Sequence, residues 1–168
     1  MTDQAPLRIL VVCLGNVCRS PMAQGILTGK LEEAGLADQV LVDSAGTGDY
    51  QLGKGADVRA RMAAGSRGYD LSRMRARQVE QVDFQLHDLI LAADRGNQAD
   101  LIALAPDAAA RSKVRLLLDY AGTKRNEVPD PYQGDWSDFA LALDLLEEGA
   151  EGLVAAIQRG DWDRVASA

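Results

Sequence analysis

The strongest constraint on how this chain can fold is a change of pattern between residues 7 and 27. Leu7-Arg8-Ile9-Leu10-Val11-Val12 is an apolar run rich in β-branched residues and reads as a buried strand. It passes directly into Cys13-Leu14-Gly15-Asn16-Val17-Cys18-Arg19-Ser20. Pro21-Met22-Ala23-Gln24-Gly25-Ile26-Leu27 then reads as the start of a helix, with Ser20 at the N-cap and Pro21 in the first turn. A strand, a glycine-bearing loop and a helix in that order aim loop amides and a helix N-terminus at one spot, which favours an anion. Cys13 and Arg19 bracket the loop, so a thiol and a guanidinium can close around one tetrahedral oxyanion.

The rest of the chain continues the alternation. Strands are expected at Gln39–Ser44, within Gln85–Ala93 and at Lys113–Leu117, with a loop from Ala45 to Tyr50 after the second. Helices are expected over 56–64 and 97–105. A long terminal helix over 135–159 is marked by Phe139, Leu143, Leu146, Leu153 and Ile157 at helical spacing. At 168 residues and 47% hydrophobic content, one domain spanning 1–168 accommodates them all. The predicted fold class is α/β, a single-domain, four-stranded, mostly parallel sheet with helices on both faces, a Rossmann-like three-layer sandwich. In such a sheet the site sits beyond the carboxyl ends of the strands, and the Cys13 loop follows the first strand.

Composition narrows the partners. A net charge of -7 argues against nucleic acid, and no apolar stretch is long enough for a signal peptide or a membrane span. Two cysteines make no disulfide framework, so the expected location is a reducing cytoplasm. From Lys54 to Arg77 seven cations (Lys54, Arg59, Arg61, Arg67, Arg73, Arg75, Arg77) face only Asp57 and Asp70. This stretch is either a solvated helical face or a surface for an acidic partner. Cys13, Cys18 and the lone His87 are too few to ligate zinc, and His87, at the beginning of a strand beside Asp88, reads as structural. No Gly-Lys-Ser/Thr follows the glycines of the Cys13 loop, and Gly46-Thr47-Gly48 completes no dinucleotide fingerprint. No cofactor and no metal are expected.

The loop residues suit a nucleophile and a phosphate. A cysteine ending an apolar strand is by itself an ordinary core residue. Within this loop, the amides, the helix terminus and Arg19 all favour the thiolate of Cys13. Arg19 presents a planar fork to two phosphate oxygens. Gly15 is expected to let backbone approach backbone, and Asn16 to adopt left-handed dihedrals. Ser20 can hydrogen-bond the thiolate as it departs.

These residues resemble a known family. Val12-Cys13-Leu14-Gly15-Asn16-Val17-Cys18-Arg19-Ser20-Pro21 is similar to the N-terminal signature of the low-molecular-weight protein tyrosine phosphatases, whose fold is the phosphotyrosine protein phosphatase I-like sandwich. Val42-Asp43-Ser44-Ala45-Gly46-Thr47 and Arg75-Ala76-Arg77-Gln78 resemble further segments, and Asp130-Pro131-Tyr132 resembles the family's acid loop. The resemblance implies a phosphocysteine intermediate on Cys13, phosphate binding by Arg19, and Asp130 as the acid that protonates the leaving oxygen. It further implies contacts from Leu14, Gly15, Asn16, Val17, Cys18 and Ser20, loop support by Ser44, and Tyr50 and Tyr132 as walls for an aryl ring. Phosphotyrosine proteins would be the substrates, a tyrosine kinase among the candidate partners, and a monomer or weak dimer the expected state.

Departures bear on specificity. Family members often carry tryptophan where Tyr50 stands and a second tyrosine where Gln133 stands, and residues 51–59 are off the usual pattern. Protein-arginine phosphatases of this fold are expected to carry threonine at Val17, and arsenate reductases need cysteines beyond Cys13 and Cys18. Phosphosugar adducts are an alternative substrate, and a non-catalytic phosphate-binding module would not need Asp130. Cys18 is placed to form a disulfide with Cys13 on oxidation, or else packs under the loop.

Overall fold

Parallel pairing on both sides of one apolar strand organises the protein. The computed structural model describes residues 5–164; the ends of the expected 1–168 domain, 1–4 and 165–168, lie outside them. Strand β1 (Leu7–Cys13) pairs in parallel with β2 (Val40–Gly46) on one side and β3 (Leu89–Ala92) on the other, and β4 (Val114–Leu116) extends the sheet in the order β2-β1-β3-β4. All three pairings are parallel, so the four-stranded α/β expectation holds.

The continuous apolar character of β1 follows from burial on both faces. Ile9, Val11 and Cys13 face one core with α1 (Arg19–Glu33), α2 (Val58–Gly65) and the long α6 (Trp136–Arg159). Leu10 and Val12 face a second core with α3 (Asp83–Leu86), α4 (Arg95–Leu104) and α5 (Ala108–Ser112). Each large aliphatic side chain buried in these layers contributes about 1.5–3 kcal/mol. The long helix begins as the sequence indicates: Asp135 caps it, accepting from the Ser137 and Asp138 amides. Among the described residues no helix is long and apolar enough to cross a membrane.

Strand order positions the site. The chain leaves β1 through α1 toward β2, whereas β3 lies on the opposite side of β1 and leads into α4 on the other face. The carboxyl ends of β1 and β3 therefore form the crevice at which this topology reverses direction.

Three expectations are corrected. Strand β2 continues two residues past Ser44, because Ala45 and Gly46 pair with Val12 and Cys13. The second helix starts at Val58, with Asp57 as its cap, rather than at Ala56. The basic stretch is not one helical face. Arg67 is tied to Asp144 and Glu147, Arg77 to Asp43 and Asp83, Arg59 to Asp57, and Arg75 to the Ser72 and Met74 carbonyls. Three of its seven cations are thus paired with this chain's own carboxylates and a fourth with its carbonyls, which weakens the reading of a surface for acidic partners. His87 is structural: its buried ring lies 2.9 Å from the Asp83 carbonyl through Nδ1.

Asp83 anchors the segment that runs under the site. It is 2% exposed and accepts both ends of the Arg77 fork at 3.0 Å and the Glu80 amide at 2.8 Å. Burial opposes its ionisation, yet the Arg77 and Glu80 hydrogen bonds outweigh that and hold its carboxyl below the ordinary range. A lowered folded-state value means stability that is present above the ordinary carboxylate range and lost as pH falls through the lowered one. Asp83→Asn should therefore cost about 2–3 kcal/mol at neutral pH in urea unfolding. The variant should also lose less stability than the parent on acidification.

Candidate active site

The loop after β1 is held from behind by a buried polar network. Asn16 takes the left-handed conformation, φ 57°, as its residue type indicated. Its side chain donates to Ser20 Oγ (2.8 Å) and Ser44 Oγ (3.0 Å) and accepts the Arg77 amide (3.0 Å). Ser44 in turn donates to Gln24 Oε1 at 2.7 Å. The Cys13 thiol, 3% exposed, sits 3.0 Å from Ser20 Oγ.

Two sequence expectations about this loop change. Ser20 is not the N-cap: α1 starts at Arg19, Cys18 occupies the cap position, and no side chain caps it. The Ser20 hydroxyl is instead committed to Cys13, Asn16 and the Ala45 carbonyl (3.3 Å), so the first turn keeps its donors open. The amides of residues 15–18 likewise donate to no group among the described residues, which leaves them available to an anion. The close backbone approach belongs to Gly46 rather than Gly15. A Cβ at Gly46 would lie 2.6 Å from the Leu14 carbonyl oxygen, whereas one at Gly15 would meet only ordinary contacts.

Arg19 crosses the crevice. It is 2% exposed, and its Nη1 donates to Asp94 Oδ2 at 2.6 Å and to the Val128 carbonyl at 2.9 Å. Both Nη1 hydrogens are thereby used. Nε and Nη2 make no hydrogen bond among the described residues, and that edge fits two oxygens of a tetrahedral anion. Burial opposes the charge, but Asp94, Cys13 and Asp130 outweigh it and hold the guanidinium ionised.

Asp130 approaches from the loop before α6. Its carboxylate is 3.6 Å from Arg19 Nη2 and accepts the Tyr132 amide at 3.1 Å. That loop is fastened at two points. The Val128 amide bonds the Ala93 carbonyl beyond β3 (2.9 Å). Arg59 of α2 donates to the carbonyls of Tyr132 (2.6 Å) and Gly134 (3.1 Å). Next to Arg59, the Asp57 amide bonds the Val17 carbonyl at 2.8 Å, so the start of α2 touches both loops of the site.

The resulting cleft measures about 180 Å³. Cys13, Arg19 and Asp130 line it, with Leu14, Gly15, Val17 and Cys18 along the loop and Tyr50 and Tyr132 as walls. Asn16, Ser20 and Ser44 lie behind the loop and support it. Burial pushes the Cys18 thiol up, with Asp57 and Asp130 adding to the effect, so it stays protonated at neutral pH. Asp94, Asp57, Arg59 and Gln51 were missed in the sequence. Asp94 and Asp57 carry a local signal, each as the N-cap of the helix that follows it. Gln51 donates to the Tyr132 hydroxyl at 3.4 Å across the mouth. Among the described residues no cluster of His, Cys, Asp or Glu is arranged to hold a metal ion.

A parallel α/β sheet thus brings a thiol, a half-free guanidinium and a carboxylate together at its switch point, a set suited to binding and attacking an oxyanion. Comparison with known proteins agrees. The family of low molecular weight phosphotyrosine protein phosphatases is matched over residues 8–162. A low molecular weight protein-tyrosine-phosphatase of Streptomyces coelicolor is 41% identical over 154 residues, 90% of this chain and 93% of that protein. A protein tyrosine phosphatase of Entamoeba histolytica, solved with Hepes in its active site, superposes with a TM-score of 0.88 at 35% identity, covering 92% of this chain and 98% of that one. Vibrio vulnificus Wzb in complex with benzylphosphonate superposes with a TM-score of 0.79 at 30% identity, covering 90% and 99%. The chain belongs to the low molecular weight phosphotyrosine protein phosphatase family.

Asp94 sets which edge of Arg19 faces the cleft. Asp94→Ala should free Nη1 to turn toward Asp130 and raise the inhibition constant of orthophosphate by about tenfold, with far-UV circular dichroism unchanged.

Proposed function

We propose that this chain hydrolyses phosphotyrosine in proteins in two steps on Cys13. The observation that carries this reading is the meeting, in one small cleft, of the Cys13 thiol, the free edge of Arg19 and the Asp130 carboxyl. In the first step the Cys13 thiolate attacks phosphorus, the S–P bond forms and the P–O(aryl) bond breaks. Asp130 gives its proton to the departing oxygen. Arg19 and the open amides of residues 15–18 hold the equatorial oxygens as charge builds there. In the second step water attacks phosphorus, Asp130 takes its proton, and the S–P bond breaks. The Ser20 hydroxyl, 3.0 Å from the sulfur, stabilises the thiolate that leaves.

Tyr50 and Tyr132 suit a flat ring between them, a fit a phosphosugar does not offer. The benzylphosphonate held by the Vibrio vulnificus relative supports the same choice. The substrates inferred are cytoplasmic phosphotyrosine proteins, tyrosine kinases among them, met by a monomer or weak dimer.

Hydrolysis of an aryl phosphate should continue in the presence of a chelator and disappear in Cys13→Ser; a robust rate in that variant would refute the mechanism. Asp130→Ala should slow esters of poor leaving groups by about 100-fold and those of good ones far less. A uniform loss across leaving groups would remove its role as acid.

Cys18 protects the nucleophile in this reading. Peroxide converts the Cys13 thiolate to a sulfenic acid, and the Cys18 thiol displaces water from it to give a disulfide. Thiol treatment should then restore peroxide-inactivated parent but not Cys18→Ser, measured as regained aryl phosphate hydrolysis. Equal recovery in both would leave Cys18 as loop packing only.

A further inference from the structure

A second groove, of about 380 Å³, lies directly beside the catalytic cleft, and Leu14 and Tyr50 form walls of both. They make the ridge between the two. Leu14 is 41% and Tyr50 72% exposed, and the tyrosine ring lies so close over Gly48 that a Cβ there would meet it at 2.4 Å. The opposite wall is α4, which contributes Asp100, Ala103 and Leu104. Asp100 is the only charged side chain lining the groove, is exposed, and has no ion pair or hydrogen bond among the described residues. Thr47, also in the lining, has a buried hydroxyl with no hydrogen-bond partner among the described residues.

We infer that this groove receives a lysine or arginine side chain from a residue flanking the phosphotyrosine. The inference rests on the phosphotyrosine reading above. With the phosphoryl group at Cys13 and the ring beside Tyr50, the substrate backbone must run across the mouth of the cleft. Successive Cα atoms are about 3.8 Å apart, so side chains a residue or two away fall on either side of the Tyr50 ridge. A basic side chain matches a lining of this kind, mostly apolar with a single carboxylate. Its aliphatic stem covers Ala103 and Leu104 while its charged head reaches Asp100. A glutamate at the same position would set two carboxylates face to face. The groove therefore discriminates by charge at a distance from the bond being broken, where the catalytic residues are indifferent to sequence.

Paired phosphotyrosine peptides carrying lysine or glutamate at each of the two positions on either side test this, with an aryl phosphate too short to reach α4 as reference. At one position or more, the parent should show kcat/KM about tenfold higher for the lysine peptide. Asp100→Lys should invert that ratio, and Ala103→Trp, which fills the groove from an exposed helix position, should abolish it. Both variants should do so without a matching change on the aryl phosphate. Equal ratios in parent and Asp100→Lys, or a loss shared equally by peptides and aryl phosphate, would overturn the assignment and leave the groove to another occupant such as a second copy of this chain. Hydrolysis of the aryl phosphate with neither peptide accepted would instead overturn the phosphotyrosine reading itself.

Discussion

A buried cation at the seam between two strands is the interaction on which the rest of the site depends. Arg19 is almost without contact to solvent, and a lone charge there would be untenable. Its partners come from two separate parts of the chain: Asp94 just past the end of β3, and the loop before α6, which supplies both the Val128 carbonyl and Asp130. Satisfying one guanidinium thus registers β1, β3 and the acid loop against each other. The same pairing uses up Nη1 and leaves one edge for a ligand, so the requirement of a stable core and that of an anion site are met by one side chain.

The sheet topology explains why this seam exists. Strand β1 is flanked by β2 and β3, and the helices that follow β1 and β3 leave on opposite faces. Two loops that diverge from neighbouring strand ends leave a crevice that neither fills. The loop from Cys13 to Ser20 occupies one lip and Asp94 the other. Arg59 and Asp57 then brace the structure from the outside, with one contact to the carbonyls of the acid loop and another to the carbonyl of Val17. The Asp130 carboxyl and the Cys13 thiol are carried on loops far apart in sequence yet share a rigid support.

Legibility in the sequence tracks how local each cause is. The apolar run of β1, the passage from that strand through a loop into α1, and the long amphipathic helix after Asp135 are all properties of contiguous residues, and the structure has each of these elements. Ser20 was misread as a cap because its hydroxyl answers a rule for helix starts equally well. What decides its role is Cys13 and Asn16 across the loop. Gly15 drew the explanation that belongs to Gly46, since only the fold reveals that the strand after α1 passes under the loop. The arginines between 54 and 77 read as a charged face because their acidic partners, Asp43, Asp83, Asp144 and Glu147, lie at distances along the chain that no local pattern reports.

The sequence by itself determined the alternation of strands and helices, and it carried the residue types of the site: a thiol and a guanidinium around one short loop, a carboxyl in a proline-flanked segment, and a family signature that joins them. These are matters of residue type and near spacing, which short-range sterics and charge make readable. Tertiary structure alone decided which edge of Arg19 is free, that Asp94 and Arg59 belong to the site, that Asn16 and Ser44 stand behind the loop, and that a groove with Asp100 in its lining adjoins the cleft. Each of those depends on strands and loops brought together by sheet order, and a long-range contact leaves no period or local motif in the chain.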